Sequence, residues 1–249
     1  MIILNTSTIP RYAKKKVESF YSELLDIYNY NVHSVYVIGE GLSNDAFGPQ
    51  IKYRIDGIIV LKKQDRLFNE VAAPVASKYL KKPLAVPLVM SIDEFESYIE
   101  IFPLRFLNHC IVHQAIYGED LLENLSICHQ TLMTECRHDV RGILNRLLND
   151  FISCGGDKIK TANKIKDSFR GDIPLFRGLI KLTGVIPPIN HKEVIIALPD
   201  AAKIKAGIFK TIYELNTKYG KISKDVVEGI FDEYYSVINE LDKKLQHSV

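Results

Sequence analysis

The chain has 249 residues, 47% of them hydrophobic and 25% charged, which fits one or two globular domains and excludes a disordered or fibrous chain. Thirty-two basic against thirty acidic side chains give a net charge of +2, too near balance to mark a nucleic-acid or membrane surface. No apolar run reaches the ~18 residues that a bilayer crossing needs, and four cysteines without a CxxC pair do not make a disulfide framework.

The first residues, MIILNTSTIPRYAKKK, place apolar side chains before charged ones, the reverse of a secretory signal. A reduced, cytoplasmic protein is the expectation. From Pro10, the positions Val17, Phe20, Tyr21, Leu24, Leu25 and Tyr28 recur as the single stripe of an amphipathic helix. Val35–Ile38 is a short β-rich run that Gly39-Glu40-Gly41 stops, and Ile55 with Ile58–Leu61 forms a second. Continuous apolar runs of this length suit strands buried on both faces. A helix is expected over about 67–79 and a third strand over 84–90. A short helix should follow over 91–98, with Ser91 as its cap. A fourth strand is expected over about 100–107, although Pro103 would hold it to an edge.

Beyond Tyr117-Gly118-Glu119-Asp120 the strand signals cease. Val140, Ile143, Leu144, Leu147, Leu148 and Phe151 make one helical stripe, ended by Gly155-Gly156. Further helices are expected over about 158–183, 192–201, 204–219 and from Ser223 onward. The fold class expected is therefore an α/β (α+β) mixed sheet over residues 1–120, then an all-α helical bundle over 121–249.

Two stretches carry the chemistry. Gly39-Glu40 closes the first strand, and Tyr53-Arg54-Ile55-Asp56-Gly57 opens the second after a loop. This order resembles the polymerase-beta-type nucleotidyltransferase superfamily, in which Gly-Ser or Gly-Gly is followed by Asp-x-Asp and a later-strand carboxylate. Phe102-Pro103-Leu104-Arg105, then Tyr117-Gly118-Glu119-Asp120 and a helical tail, resemble a bacterial group of predicted nucleotidyltransferases within it. The resemblance implies a triphosphate site in which clustered carboxylates hold divalent ions that neutralise charge on the reacting phosphorus.

Departures from that pattern set the functional expectation. Glu40 stands at the motif serine, Arg54 at the first aspartate, and Arg105 at the strand carboxylate, so only Asp56 survives of the acidic set. At ~4 Å, a cation facing a cation is repelled by about 4 kcal/mol at an effective dielectric near 20. The expectation is a nucleotidyltransferase-like pseudoenzyme with Asp56 vestigial and no metal ligands. Gly39, Glu40, Arg54 and Arg105 would bind a nucleotide or other phosphate-bearing ligand, without a cofactor. A protein partner or a second copy of the chain is the other use of such a cleft. The alternative is an active, magnesium-dependent nucleotidyltransferase acting on a small molecule or protein through Asp56, Glu40 and a third carboxylate at Glu96 or Glu100, and a second alternative is a structural interaction module. Asp56 could equally cap a turn or pair with Arg54 or Lys52.

Other clusters point elsewhere with less force. His109, Cys110, His113, Cys128, His129, Cys136 and His138 crowd into thirty residues, and His109 and His113 stand at i, i+4 spacing. They lack the compact spacing of a zinc site. The lysines from Lys158 to Lys166 read as a solvated helix face.

Overall fold

The computed structural model describes residues 3–39, 41–42, 54–79, 83–205, 207–217 and 224–247. They fall into two compact units. One is formed by the chain up to Phe102 together with Asn108–Ile127, the other by Pro103–Leu107 and the chain from Cys128 onward. No helix among the described residues is long and apolar enough to cross a membrane.

The first unit is built on a four-stranded sheet. Its elements are α1 (Arg11–Tyr28), β1 (Val32–Ile38), β2 (Asp56–Leu61), α2 (Arg66–Tyr79), β3 (Leu88–Ser91), α3 (Ile92–Ile101) and β4 (His113–Gly118). The strand order is β3-β2-β1-β4. β1 runs antiparallel to β2 and β4, whereas β2 and β3 are parallel. The expected stripe of α1 is its buried face. Val17, Phe20, Tyr21, Leu24 and Leu25 pack into one core with Val35, Val37, Ile59 and Leu61 of the sheet.

One contact in that core fixes a residue type. The Tyr21 ring ends against Gly57, where a β-carbon would lie 2.0 Å from the tyrosine oxygen. The hydroxyl is buried and has no hydrogen-bond partner, and burial, with the nearby Asp56 charge adding to it, pushes its pKa well above the ordinary tyrosine value.

The exposed edge of β4 is covered by the chain's early residues. Asn5 N–H donates to the Ile116 carbonyl at 2.9 Å. The Gln114 side chain accepts from Thr8 N–H at 3.1 Å and donates to the Asn5 carbonyl at 2.8 Å. An edge strand tied down in this way no longer offers its ladder to another chain.

The expected strand over 100–107 is instead helical. Ser91 caps α3 in a capping box: its Oγ accepts from Glu94 N–H, and the Glu94 carboxylate accepts from Ser91 N–H at 2.8 Å. Phe102 then leaves the helical region, as a residue before proline does, and Pro103 opens α4 (Pro103–Ile111) at its first turn. Leu104 N–H finds its acceptor in the Glu135 carboxylate at 2.6 Å. The apolar run is thus the end of one helix and the start of the next, and the fourth strand begins beyond it at His113.

The second unit contains α5 (His129–Ser153), α6 (Lys158–Ser168), α7 (Ile173–Leu182), α8 (His191–Ala202), α9 (Gly207–Thr217) and α10 (Lys224–His247). Among the described residues beyond β4, none joins a sheet. Phe169, Phe176, Phe209 and Tyr234 form its aromatic centre, with ring centroids 4.9–6.1 Å apart. Beside them the buried Asp172 carboxylate accepts two bonds from Arg146 Nη2 at 2.7 and 2.9 Å, and one from the Tyr234 hydroxyl at 2.7 Å. Arg177, also buried, donates to the carbonyls of Pro188 and Ile189. It holds a loop whose Val185, Ile186 and Ile189 side chains face solvent. The lysines of α6 have carboxylate neighbours: Lys158 with Asp232 at 2.6 Å and Lys164 with Asp150 at 3.0 Å.

Two measurements follow from these contacts. Gly57→Ala should destabilise the protein by about 2 kcal/mol through overpacking. Tyr21→Phe, which removes an unpartnered buried hydroxyl, should be neutral or stabilising. In the Tyr21→Phe background Gly57→Ala should cost less, and a denaturant double-mutant cycle reads that coupling. Asp172→Asn should lower stability by about 3 kcal/mol in the same assay, because the half-buried Arg146 guanidinium loses its charged partner.

Candidate functional site

β1 is followed by Gly39, whose φ of +95° lies in the left-handed region that favours glycine. Ile38, the residue before it, is paired on one side with Asp56 and on the other with His113. Residues opposed across strands share a face. Val35, Val37 and Ile59 belong to the α1 core, so alternation puts Ile38, Asp56 and His113 in one row on the other face. With strands ~4.8 Å apart, Asp56 and His113 stand about 10 Å from each other across Ile38.

The two ends of this row differ in kind. At β2, Arg54 Nε donates to Asp56 Oδ1 at 2.8 Å. A β-carbon on Gly39 would lie 3.8 Å from Asp56 Oδ2, so the carboxylate stands over the bare glycine. The Arg54 side chain is 72% exposed and that of Asp56 42%. A guanidinium has five N–H donors, and this pairing occupies one of them. Of the readings open for Asp56, pairing with Arg54 is present, while Lys52 lies outside the described residues.

At β4 the arrangement is closed. His113 Nε2 lies 3.0 and 3.1 Å from the two Asp120 oxygens, and Nδ1 lies 3.0 Å from the Cys110 carbonyl. Asp120 also accepts from Leu122 N–H at 3.0 Å. The Tyr36 hydroxyl donates to the Glu119 carbonyl at 2.7 Å and accepts from Leu121 N–H at 2.8 Å. Its ring meets His113 edge-on with centroids 6.1 Å apart. Burial raises the Tyr36 pKa, countered in part by its hydrogen bonds. Both imidazole nitrogens therefore lie against oxygen atoms of the protein. The Tyr-Gly-Glu-Asp turn is a clasp on the strand end.

Of the residues singled out in the sequence, Gly39, Arg54 and Asp56 come together. Glu40 lies outside the described residues. Arg105 does not stand on a strand beside Arg54: it is an exposed residue of helix α4. Its charge acts on Glu135, whose pKa burial raises and the Leu104 N–H bond pulls back, with Arg105 lowering it slightly. Glu96 and Glu100 are exposed on helix α3. His109 and His113 do not share a helix, since one is on α4 and the other on β4. His113 and Asp120 were not expected at the row. Their signal was a pair seven residues apart across a Gly turn, legible only once β4 is known.

A nucleotidyltransferase of the resembled type would hold magnesium here. The described residues do not fit that ion. Asp56 is one carboxylate where two or three are needed, and its neighbour at the first aspartate position is a cation at 2.8 Å. Among the described residues no group of three His, Cys, Asp or Glu side chains could hold a metal.

No protein-family model and no curated protein matches the chain. Among solved structures it is similar to the spectinomycin adenyltransferase of Enterococcus faecialis determined with ATP and spectinomycin. The identity is 14% and the TM-score 0.46, over 93% of this chain and 97% of that one.

Proposed function

We propose that the chain is a nucleotidyltransferase-like protein that binds a nucleotide or another phosphate-bearing ligand over Gly39 and does not carry out metal-dependent transfer. The observation that carries this reading is the Asp56 carboxylate held over the bare Gly39 α-carbon with Arg54 bonded to it at 2.8 Å. Glycine at that position lets a phosphate approach the backbone. Arg54 supplies fixed positive charge where the resembled family places a metal ligand, and its remaining donors suit bidentate contact with phosphate oxygens.

Asp56 then opposes the ligand instead of serving it. Its charge is the one an incoming phosphate must share Arg54 with. Binding in this arrangement needs no divalent ion, and no carboxylate pair is required to deprotonate an acceptor.

Calorimetric titration of ATP in EDTA tests the reading. The wild type should bind, and Arg54→Gln should weaken binding by about tenfold or more, the loss of one charge-assisted contact. Asp56→Asn should strengthen it, because the competing carboxylate is neutralised. An active enzyme demands the opposite sign at Asp56: magnesium-dependent incorporation of a labelled nucleotide that disappears in Asp56→Asn would overturn the proposal. So would a wild type that binds no ATP.

A further inference from the structure

The helical unit holds a cavity of about 770 Å³, a size at which small-molecule sites occur. It lies where the last turns of α7, α8 and α10 meet the first turn of α5. Met133, Leu179, Leu241 and Leu245 line it with apolar surface. Lys203, Lys243 and Lys244 also line it, with Glu240 as the single carboxylate.

These cations divide into two groups. Lys244 pairs with Glu240 at 3.0 Å and donates to the Lys203 carbonyl. His129 lies 3.4 Å from the Leu182 carbonyl. Those contacts satisfy helix C-termini, which favour cations without any ligand. Lys203 and Lys243, both exposed, have no such partner among the described residues, so two unpaired ammonium groups border the apolar lining of the cavity.

Lys203 carries a further mark. It caps α8 with φ 53° and ψ 45° and is the sole described non-glycine residue at positive φ. Glycine or asparagine is the usual residue there, because a side chain costs conformational energy in that region. A strained lysine whose side chain lines a cavity is an outlier of the kind that accompanies binding.

We propose that this cavity binds a small amphiphilic anion: an apolar chain or ring seated on the leucines, with one carboxylate or phosphate head between Lys203 and Lys243. The site belongs wholly to the helical unit and is independent of the reading at Gly39 and Asp56.

Decanoate and decyl phosphate are the probes, titrated calorimetrically against the full chain, with decanol and acetate as controls. At least one of the two anions should bind saturably at one site per chain, and whichever binds names the head group. Decanol, without charge, and acetate, without a chain, should each bind at least tenfold more weakly. Lys203→Gly and Lys243→Gln should each weaken the anion about tenfold, and Lys192→Gln, outside the cavity, should not. Lys203→Gly should at the same time raise the thermal midpoint by about 2–4 °C by relieving the strained backbone, which separates lost binding from lost folding. Ala202→Phe, which fills the cavity from its rim, should abolish binding. Decanol binding as tightly as decanoate, undiminished binding in the lysine variants, or no saturable binding of either anion would overturn the proposal.

Discussion

Strand β1 constrains everything else in the first unit. Val35, Tyr36, Val37 and Ile38 are buried, and the strand is paired along both edges, to β2 and to β4. It has no freedom to slide, because a slip of one residue would turn its α1-facing valines to the wrong side. Its end therefore fixes where Gly39 turns, and its two registers fix which residues flank that turn. Asp56 and His113 reach the same row by pairing with the same isoleucine.

What that row can do follows from charge. A carboxylate already bonded to a guanidinium has spent much of its attraction for a dication, and the guanidinium repels one directly. The same pair remains able to rearrange around an anion, since Arg54 is largely exposed and a salt bridge of this kind contributes little to stability. On the other side, His113 is immobilised by the acceptors around it. One end of the row is adaptable and the other rigid.

The sequence made some of this legible and hid the rest for definite reasons. The α1 stripe and the runs at Val35–Ile38 and Ile58–Leu61 were clear because both elements bury an entire face or both faces, so their periodicity is strong. Ser91 was readable as a cap from local chemistry alone. The strand expected over 100–107 was not there, since Pro103 joins two short helices whose combined apolar content imitates a strand. True β4, His-Gln-Ala-Ile-Tyr-Gly, has one β-branched residue and buries only alternate positions, Gln114 and Ile116. At the site, Gly39, Arg54 and Asp56 were visible by motif. His113 and Asp120 were not, because their meeting depends on the register of an edge strand.

The helical unit shows a different use of a buried cation. Arg177 donates to the carbonyls of Pro188 and Ile189, so the loop from Gly184 is held in part through its backbone. Val185, Ile186 and Ile189 stay in water, 54%, 82% and 56% exposed. The shape of that loop is consequently insensitive to the side chains at those three positions. Those three positions can be recoded as polar residues for solubility, whereas loss of the buried Arg177 would leave two loop carbonyls without their donor.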